Sequence, residues 1–345
     1  MASSDGKLAV AFESGQLSYS DQSVDLYNSG VNQLLSLAAA RGHHLRHFRM
    51  PDLYRHEGTP RMRASVLGLD DSWDGDDRSA WRHLRKVGEE NLPLSACDLY
   101  FVRGDDIRRA DTPNLDILRE AEGPATVIET VAATLVSCDK FELVERAPHA
   151  PQPITYAARD LAVALDAIGR LPHPDGWFVL KDRYGYGCGI QVHRLQVDAP
   201  DLALVVEEYL RLYGDVLLQE FRPEVANGDL VVTFFDDELV GAMRRIPAGD
   251  QWKANASLGA SHVRHELTAE QAEVAWAVRR AFPECRLVSV DLLASALALE
   301  INAFPGAAGL LDTHGIVLAE QVLDRLEDEL ATAGVPGDDA TRASR

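Results

Sequence analysis

A glycine-rich connector between two extended segments constrains this chain more than any other feature. In Lys181-Asp182-Arg183-Tyr184-Gly185-Tyr186-Gly187-Cys188-Gly189-Ile190, glycines alternate with larger residues after the apolar run 177–181, and residues 190–195 read as a strand. A dinucleotide-binding or P-loop fold needs a helix there, whose amino end holds phosphate. No Gly-Lys-Ser/Thr follows either. Two readings remain. The tip of a β-hairpin can aim backbone N–H groups at phosphate oxygens, with Lys181 beside it as counter-charge. Alternatively, the glycines only supply the positive φ of a flexible turn.

A second constellation lies near the carboxyl end. Leu287–Leu293 and residues 297–302 are apolar runs interrupted by Asp291, Glu300 and Asn302. Residues 300 and 302 share one face of a strand. If the two runs pair as a hairpin turning near Ser295, Asp291 comes opposite Glu300. Two carboxylates and an amide oxygen then converge, a hard-oxygen set suited to Mg²⁺. Polar strand ends facing solvent would be the plainer reading, but polar groups inside such apolar strands need partners. Arg244-Arg245-Ile246-Pro247 closes another apolar strand, with Asn255 shortly after. Such arginines either offset an anionic intermediate or lie on the surface. Gln219-Glu220-Phe221, at a strand-to-loop transition, is compatible with an adenine pocket.

Charge limits the partners. The 345 residues carry 34 Lys+Arg against 54 Asp+Glu, a net −20, which repels a phosphate backbone and excludes a general nucleic-acid binder. Only five of the basic residues are lysines (Lys7, Lys86, Lys140, Lys181 and Lys253), so each interior one is informative. Cys97, Cys138, Cys188 and Cys285 have no metal or disulfide spacing, and no apolar run is long enough to cross a membrane. Residues 1–14 lack the pattern of a secretory leader. A cytoplasmic protein is expected.

Along the chain, strand 8–12, helix 24–41 closed by Gly42, and strand His44–Phe48 form a β-α-β opening of an open parallel sheet. Leu99–Val102, with Arg103 at its carboxyl end, and Thr126–Ile128 read as further strands. Residues 68–91, highly charged, read as a surface excursion. Helices are expected over 138–146, 160–171, 201–212 and from Thr268, with strands at 154–156, 216–221, 230–235 and 239–245. His262 and His265 read as solvated loop residues. The fold class is α/β, becoming α+β in the carboxyl half. Its parts are 1–130, 131–218 with the glycine flap, 219–332 with the metal site, and a flexible tail 333–345.

Taken in sequence, these features resemble the ATP-grasp enzymes, above all the prokaryotic-type glutathione synthetases, over most of the chain. The resemblance rests on Arg41-Gly42-His43, Asp52-Leu53-Tyr54, Cys138-Asp139-Lys140-Phe141, Val179-Leu180-Lys181, Gln219-Glu220-Phe221, Gly228-Asp229, Arg245-Ile246-Pro247 with Asn255, and Asp291 with Glu300-Ile301-Asn302. It implies that Lys140 and Lys181 reach ATP phosphates and that Gly185, Tyr186, Gly187 and Gly189 form the flap over them. Gln219, Glu220 and Phe221 would meet adenine, and Asp229 the ribose. Asp291, Glu300 and Asn302 would hold two Mg²⁺ ions. Arg245, with Lys181 and Asn255, would act in catalysis, and Arg103 and Arg244 would bind substrate. The implied reaction joins a carboxylate to an amine through an acyl phosphate, and the resemblance implies a homo-oligomer. The rivals are a nucleotide-binding regulatory module and phosphoryl transfer to a non-amine acceptor. Val231 and Ala260 depart from the glutathione synthetase pattern. Ala303-Phe304-Pro305-Gly306 is closer to D-alanine–D-alanine ligases, so the substrate pocket is expected to differ.

Overall fold

The computed structural model describes residues 7–15, 17–20, 23–25, 29–75, 80–104, 107, 109–185, 189, 191–255 and 258–333. Among them run three sheets. The first contains β1 (Ala9–Glu13), β2 (Ser18–Ser20), β3 (Ser23–Asp25), β4 (His44–Phe48), β5 (Leu53–His56), β6 (Thr59–Leu69), β7 (Leu84–Pro93), β8 (Leu99–Val102) and β9 (Thr126–Ile128). Its parallel heart is β4-β1-β8-β9, as the β-α-β pattern requires. Antiparallel β6, β7, β3 and β2 extend one edge, with β5 paired to β6. The charged stretch 68–91 enters the sheet at both ends, through 68–69 of β6 and 84–91 of β7. β6 and β7 pair from Arg61↔Pro93 to Leu69↔Leu84, and Leu84 is buried. Its strand alternation is masked by Gly88, by a bulge at Val66/Leu67, and by the charges of a wet face.

Helix α1 (Ser29–Ala40) buries Val31, Leu34, Leu35, Leu37 and Ala38, the 3.6-residue stripe of its sequence, against this sheet. It ends at Gly42, whose φ of +77° suits glycine. It starts later than expected because residues 23–25 are spent in β3. Helices α2 (Leu115–Arg119), α3 (Val131–Cys138) and α4 (Glu142–Arg146) follow. The expected single helix 138–146 is broken at Asp139. Its carboxylate accepts Phe141 N at 3.0 Å, and the Lys140 N–H bonds Arg183 O at 3.0 Å.

The second sheet orders β10 (Thr155–Ala158), β13 (Val216–Glu220), β11 (Trp177–Asp182) and β12 (Val192–Gln196), under α5 (Leu161–Arg170) and α6 (Leu202–Tyr213). Asp160 caps α5 by accepting Val163 N at 2.9 Å. β11 and β12 are antiparallel neighbours, so the glycine connector joins a hairpin and opens no helix.

The third sheet orders β16 (Ser261–Arg264), β15 (Glu238–Ile246), β14 (Asp229–Phe235), β17 (Leu287–Leu293) and β18 (Ala298–Ala303). Helix α7 (Ala269–Ala281), closed by a Thr268/Gln271 capping box, covers one face. Helix α8 (Ala308–His314) packs on β15 and β16, and α9 (Leu318–Ala333) returns to the first sheet, where it packs on α1 and Arg41 reaches Asp324 at 2.6 Å. Residues 261–264, expected in a loop, are strand β16, paired to β15. Residues 334–345 of the expected tail lie outside the described residues. No helix among the described residues is long and apolar enough to cross a membrane.

Glu129, buried at the end of β9, joins the first sheet to the third. Its carboxylate accepts the N–H of Arg286, at 2.9 Å, and of Leu287. Glu129→Ala leaves both donors unpaired at about 1–3 kcal/mol each. Urea unfolding is expected to show a loss of about 3 kcal/mol.

Candidate active site

Strand alternation builds the floor of the site from the third sheet. Cross-strand partners share a face, which gives the row His262–Arg245–Asp229–Leu293 and, two residues on, Met243–Val231–Asp291–Glu300. A third row pairs Ser289 with Asn302. The expected juxtaposition of Asp291 with Glu300 is thus met by register. The second sheet supplies the roof. Val179 and Lys181 on β11 and Gln219 on β13 face down into a cavity of about 370 Å³. Arg103, Ser137, Cys138 and Lys140 close one side, and Phe304 to Gly306 another.

Charge inside is dense and paired. The Arg245 guanidinium grips both oxygens of Asp229, at 2.7 and 2.6 Å, and Asp291 at 2.7 Å. Lys140 Nζ lies 3.2 Å from Glu300 Oε2, and Lys181 Nζ donates to Gln219 Oε1 at 3.2 Å. Burial lowers Lys181 to about 8, with Lys140 adding repulsion and Glu300 opposing. Burial alone would raise Glu300, yet Lys140, Lys181 and Arg245 outweigh it and hold the carboxyl below its usual range. Asp291 is pushed up by burial, which Arg245 resists and which repulsion from Glu300 and Asp229 reinforces. Lys140 is raised: burial works against its charge, but Glu300 prevails.

The oxygen donors fit a divalent cation. Asp291 and Glu300 face each other, and Asn302 Nδ2 lies 3.4 Å from Glu300 Oε1, which leaves the amide oxygen as a donor. Among the described residues no three His, Cys, Asp or Glu side chains form a ready-made cage. Two carboxylates and an amide instead suit Mg²⁺, which keeps waters and shares substrate phosphates.

Most expected site residues meet in this cavity: Arg103, Lys140, Lys181, Gly185, Gly189, Gln219, Glu220, Phe221, Asp229, Arg245, Asn255, Asp291, Glu300 and Asn302 all line it. Tyr186 and Gly187 lie outside the described residues. Arg244 is a correction. It alternates to the opposite face of β15, and its guanidinium donates to Asn227 O at 3.0 Å, away from the lining. The segment 253–255 touches the described end of the glycine connector. Lys253 Nζ donates to Gly189 O at 2.7 Å, and a Cβ at Gly189 would fall 2.5 Å from Asn255 Oδ1. Lys253, Trp252, Met243 and His262 also line the cavity and were missed. His262 carried a signal: it lies two residues from Arg264 in an alternating segment, and pairing places it opposite Arg245. Phe304, at φ +52° and buried, turns the chain after Ala303 and sets its ring edge-on to Phe101 at 6.1 Å.

Residues 158–309 match the family described as prokaryotic glutathione synthetase, ATP-grasp domain. Over 92% of this chain and 99% of its own, the solved structure of a D-cycloserine synthetase superposes with a TM-score of 0.61 at 18% identity. The fold is ATP-grasp. A D-alanyl-alanine synthetase A from Vibrio cholerae shares it, with a TM-score of 0.60 at 15% identity over 94% of this chain and 99% of that one. In sequence, this ATP-grasp chain is 26% identical to the glutathione synthetase of Agrobacterium fabrum over 77% of its length and 80% of the relative's. It is also 33% identical to a probable alpha-L-glutamate ligase of Xanthomonas euvesicatoria, over 36% of this chain and 43% of that one. ATP-grasp ligases in general use ATP and Mg²⁺.

Because Lys181 falls from the ordinary 10.5 to about 8, the folded state binds fewer protons than the unfolded chain between those values. Its charge therefore costs about 3 kcal/mol below pH 8, a cost that disappears towards pH 10.5. Lys181→Met is expected to be more stable than the wild type at pH 7 in chemical denaturation. The gap should close as pH rises from 8 to 10.5, and a gap constant across that range would refute the desolvation.

Proposed function

We propose that the chain is an ATP-dependent ligase that joins a small-molecule carboxylate to an amine through an acyl phosphate. One observation carries this reading: three cations, buried Lys181 and half-buried Lys140 and Arg245, converge with the facing oxygen donors Asp291, Glu300 and Asn302 in one cavity between two sheets. A pocket that only stored nucleotide would not need Arg245 beyond the metal-type donors.

The roles follow from position. Gln219, Glu220 and Phe221 at the end of β13 border the adenine end, where Val179 and Leu299 offer apolar faces. Lys140 and Lys181 neutralise phosphate oxygens, and the N–H groups near Gly185 and Gly189 approach them from the flap. Asp229 orients Arg245 through a two-point ion pair, so its path to a ribose runs beside that guanidinium. Asp291, Glu300 and Asn302 would hold two Mg²⁺ ions, which supply charge neutralisation and a template for the phosphates. Arg245 offsets the negative charge that grows as the carboxylate is phosphorylated and then attacked. Arg103, in the cavity wall, holds the substrate carboxylate. The flap and the Asn255 loop, in contact through Lys253, exclude water that would hydrolyse the acyl phosphate. Residues 1–130, 131–218 and 219–332 would act as substrate, roof and floor parts respectively.

ADP release across a panel of amino acids and γ-glutamyl dipeptides, with mass spectrometry of the products, tests the reading. Amine-dependent ADP and an amide product are expected. ATP binding without turnover would favour a regulatory module, and ADP without an amide a different acceptor. Lys181→Ala, Glu300→Ala and Arg245→Ala should each lower turnover at least about 100-fold. Arg244→Ala should stay within about twofold of the wild type, as surface substitutions do.

A further inference from the structure

Amide formation requires an uncharged amine, yet amines reach the site at neutral pH as ammonium ions, so some group must take a proton. The inference here rests on the ligase reading above. Each carboxylate lining the cavity is already engaged. Asp182 accepts Tyr184 N at 3.1 Å, and Glu220 accepts Arg222 at 2.8 Å. Asp229 and Asp291 share Arg245, and Glu300 holds Lys140.

His262 is the one imidazole among the described lining residues, and its ring nitrogens take no hydrogen bond among the described residues. It stands directly opposite Arg245 in the β15–β16 pair, on the cavity face, one strand beyond the acidic rows. The Arg245 guanidinium leans away from it, towards Asp229 and Asp291. The ring is also held in place. A Cβ at Gly309 would fall 2.1 Å from Met243 Sδ, 2.7 Å from Met243 Cε and 3.3 Å from His262 Cγ. The backbone of α8, the thioether and the imidazole are thus packed without spare room, and glycine at 309 permits it. Met243, Gly309 and Pro305 give this end of the cavity an apolar wall, where the body of an amine substrate can rest.

We propose that His262 is the catalytic base that deprotonates the primary-amine acceptor. The ammonium passes one proton to a ring nitrogen of neutral His262, and the freed electron pair attacks the acyl carbon. That pair becomes the new C–N bond, the C–O bond to the phosphoryl group breaks, and phosphate leaves with the C–O bonding electrons. The second amine proton goes to the departing phosphate, and the imidazolium returns its own to solvent. No oxidant or further reactant enters.

Hydroxylamine separates this step from activation, because it is largely uncharged at neutral pH and attacks acyl phosphates without a base. Wild type, His262→Ala and His262→Gln are assayed with ATP, Mg²⁺ and the panel above, and in parallel with hydroxylamine as the acceptor. With the amine that the wild type accepts, kcat should fall about 100-fold in both variants. Hydroxamate formation should stay within about twofold, and free imidazole should restore part of the amide rate in His262→Ala. Unchanged amide turnover in the variants overturns the assignment. So does hydroxamate formation that falls as far as amide formation, since His262 would then serve activation or folding. A wild type that releases no ADP with any pair removes the ligase reading and this inference together, a result distinct from the other two.

Discussion

The site depends on one arrangement of buried charge, the guanidinium of Arg245 held between Asp229 and Asp291 on three adjacent strands. Ions taken out of water lose several kcal/mol of solvation each, and only close, fully bonded partners restore it. Here the partners are fixed by strand register, so the cluster and the sheet specify each other. A slip of one residue in β14 or β17 would turn Asp229 or Asp291 to the other face and leave the guanidinium uncompensated. The glycine at 228 protects the same register. A Cβ there would lie 2.0 Å from the Arg245 carbonyl oxygen, so the chain can enter β14 at this spacing only without a side chain.

Much of this was legible in the sequence because polar residues inside apolar strands are conspicuous. Glu300 and Asn302 announced their shared face by spacing, Asp291 joined them through the hairpin expected near Ser295, and the hairpin around 181–192 was visible because no helical pattern follows the glycines. Local patterns failed where pairing is long-range. Residues 84–93 alternate weakly and carry many charges, so the partner strand 59–69 was needed to show that they belong to a sheet. His262 failed for a related reason, since only its register with Arg245 brings it into the cavity. Arg244 and Arg245 are adjacent and chemically alike, and only the alternation of β15 separates the one inside from the one outside.

The cavity is not arranged for the stability of the empty protein. Lys181 is desolvated with a neutral amide as its nearest acceptor, and Asp291 is crowded by two other carboxylates. Such groups are held in place by the surrounding packing, in the manner of sites whose partners arrive with a ligand. An anion beside the lysines and a cation beside the carboxylates would relieve both tensions at once.

The break between α3 and α4 has a mechanical consequence. The Lys140 N–H bonds Arg183 O, and Asp139 clasps the Arg183 side chain at 2.7 Å, so this short segment is riveted to the end of β11 that also bears Lys181. If the roof tilts against the floor, both ammonium groups ride with it as a single jaw. The distance between them would then be preserved while their separation from the acidic strands opens and shuts, a way to admit and expel a polyanion without dismantling the grip that recognises it.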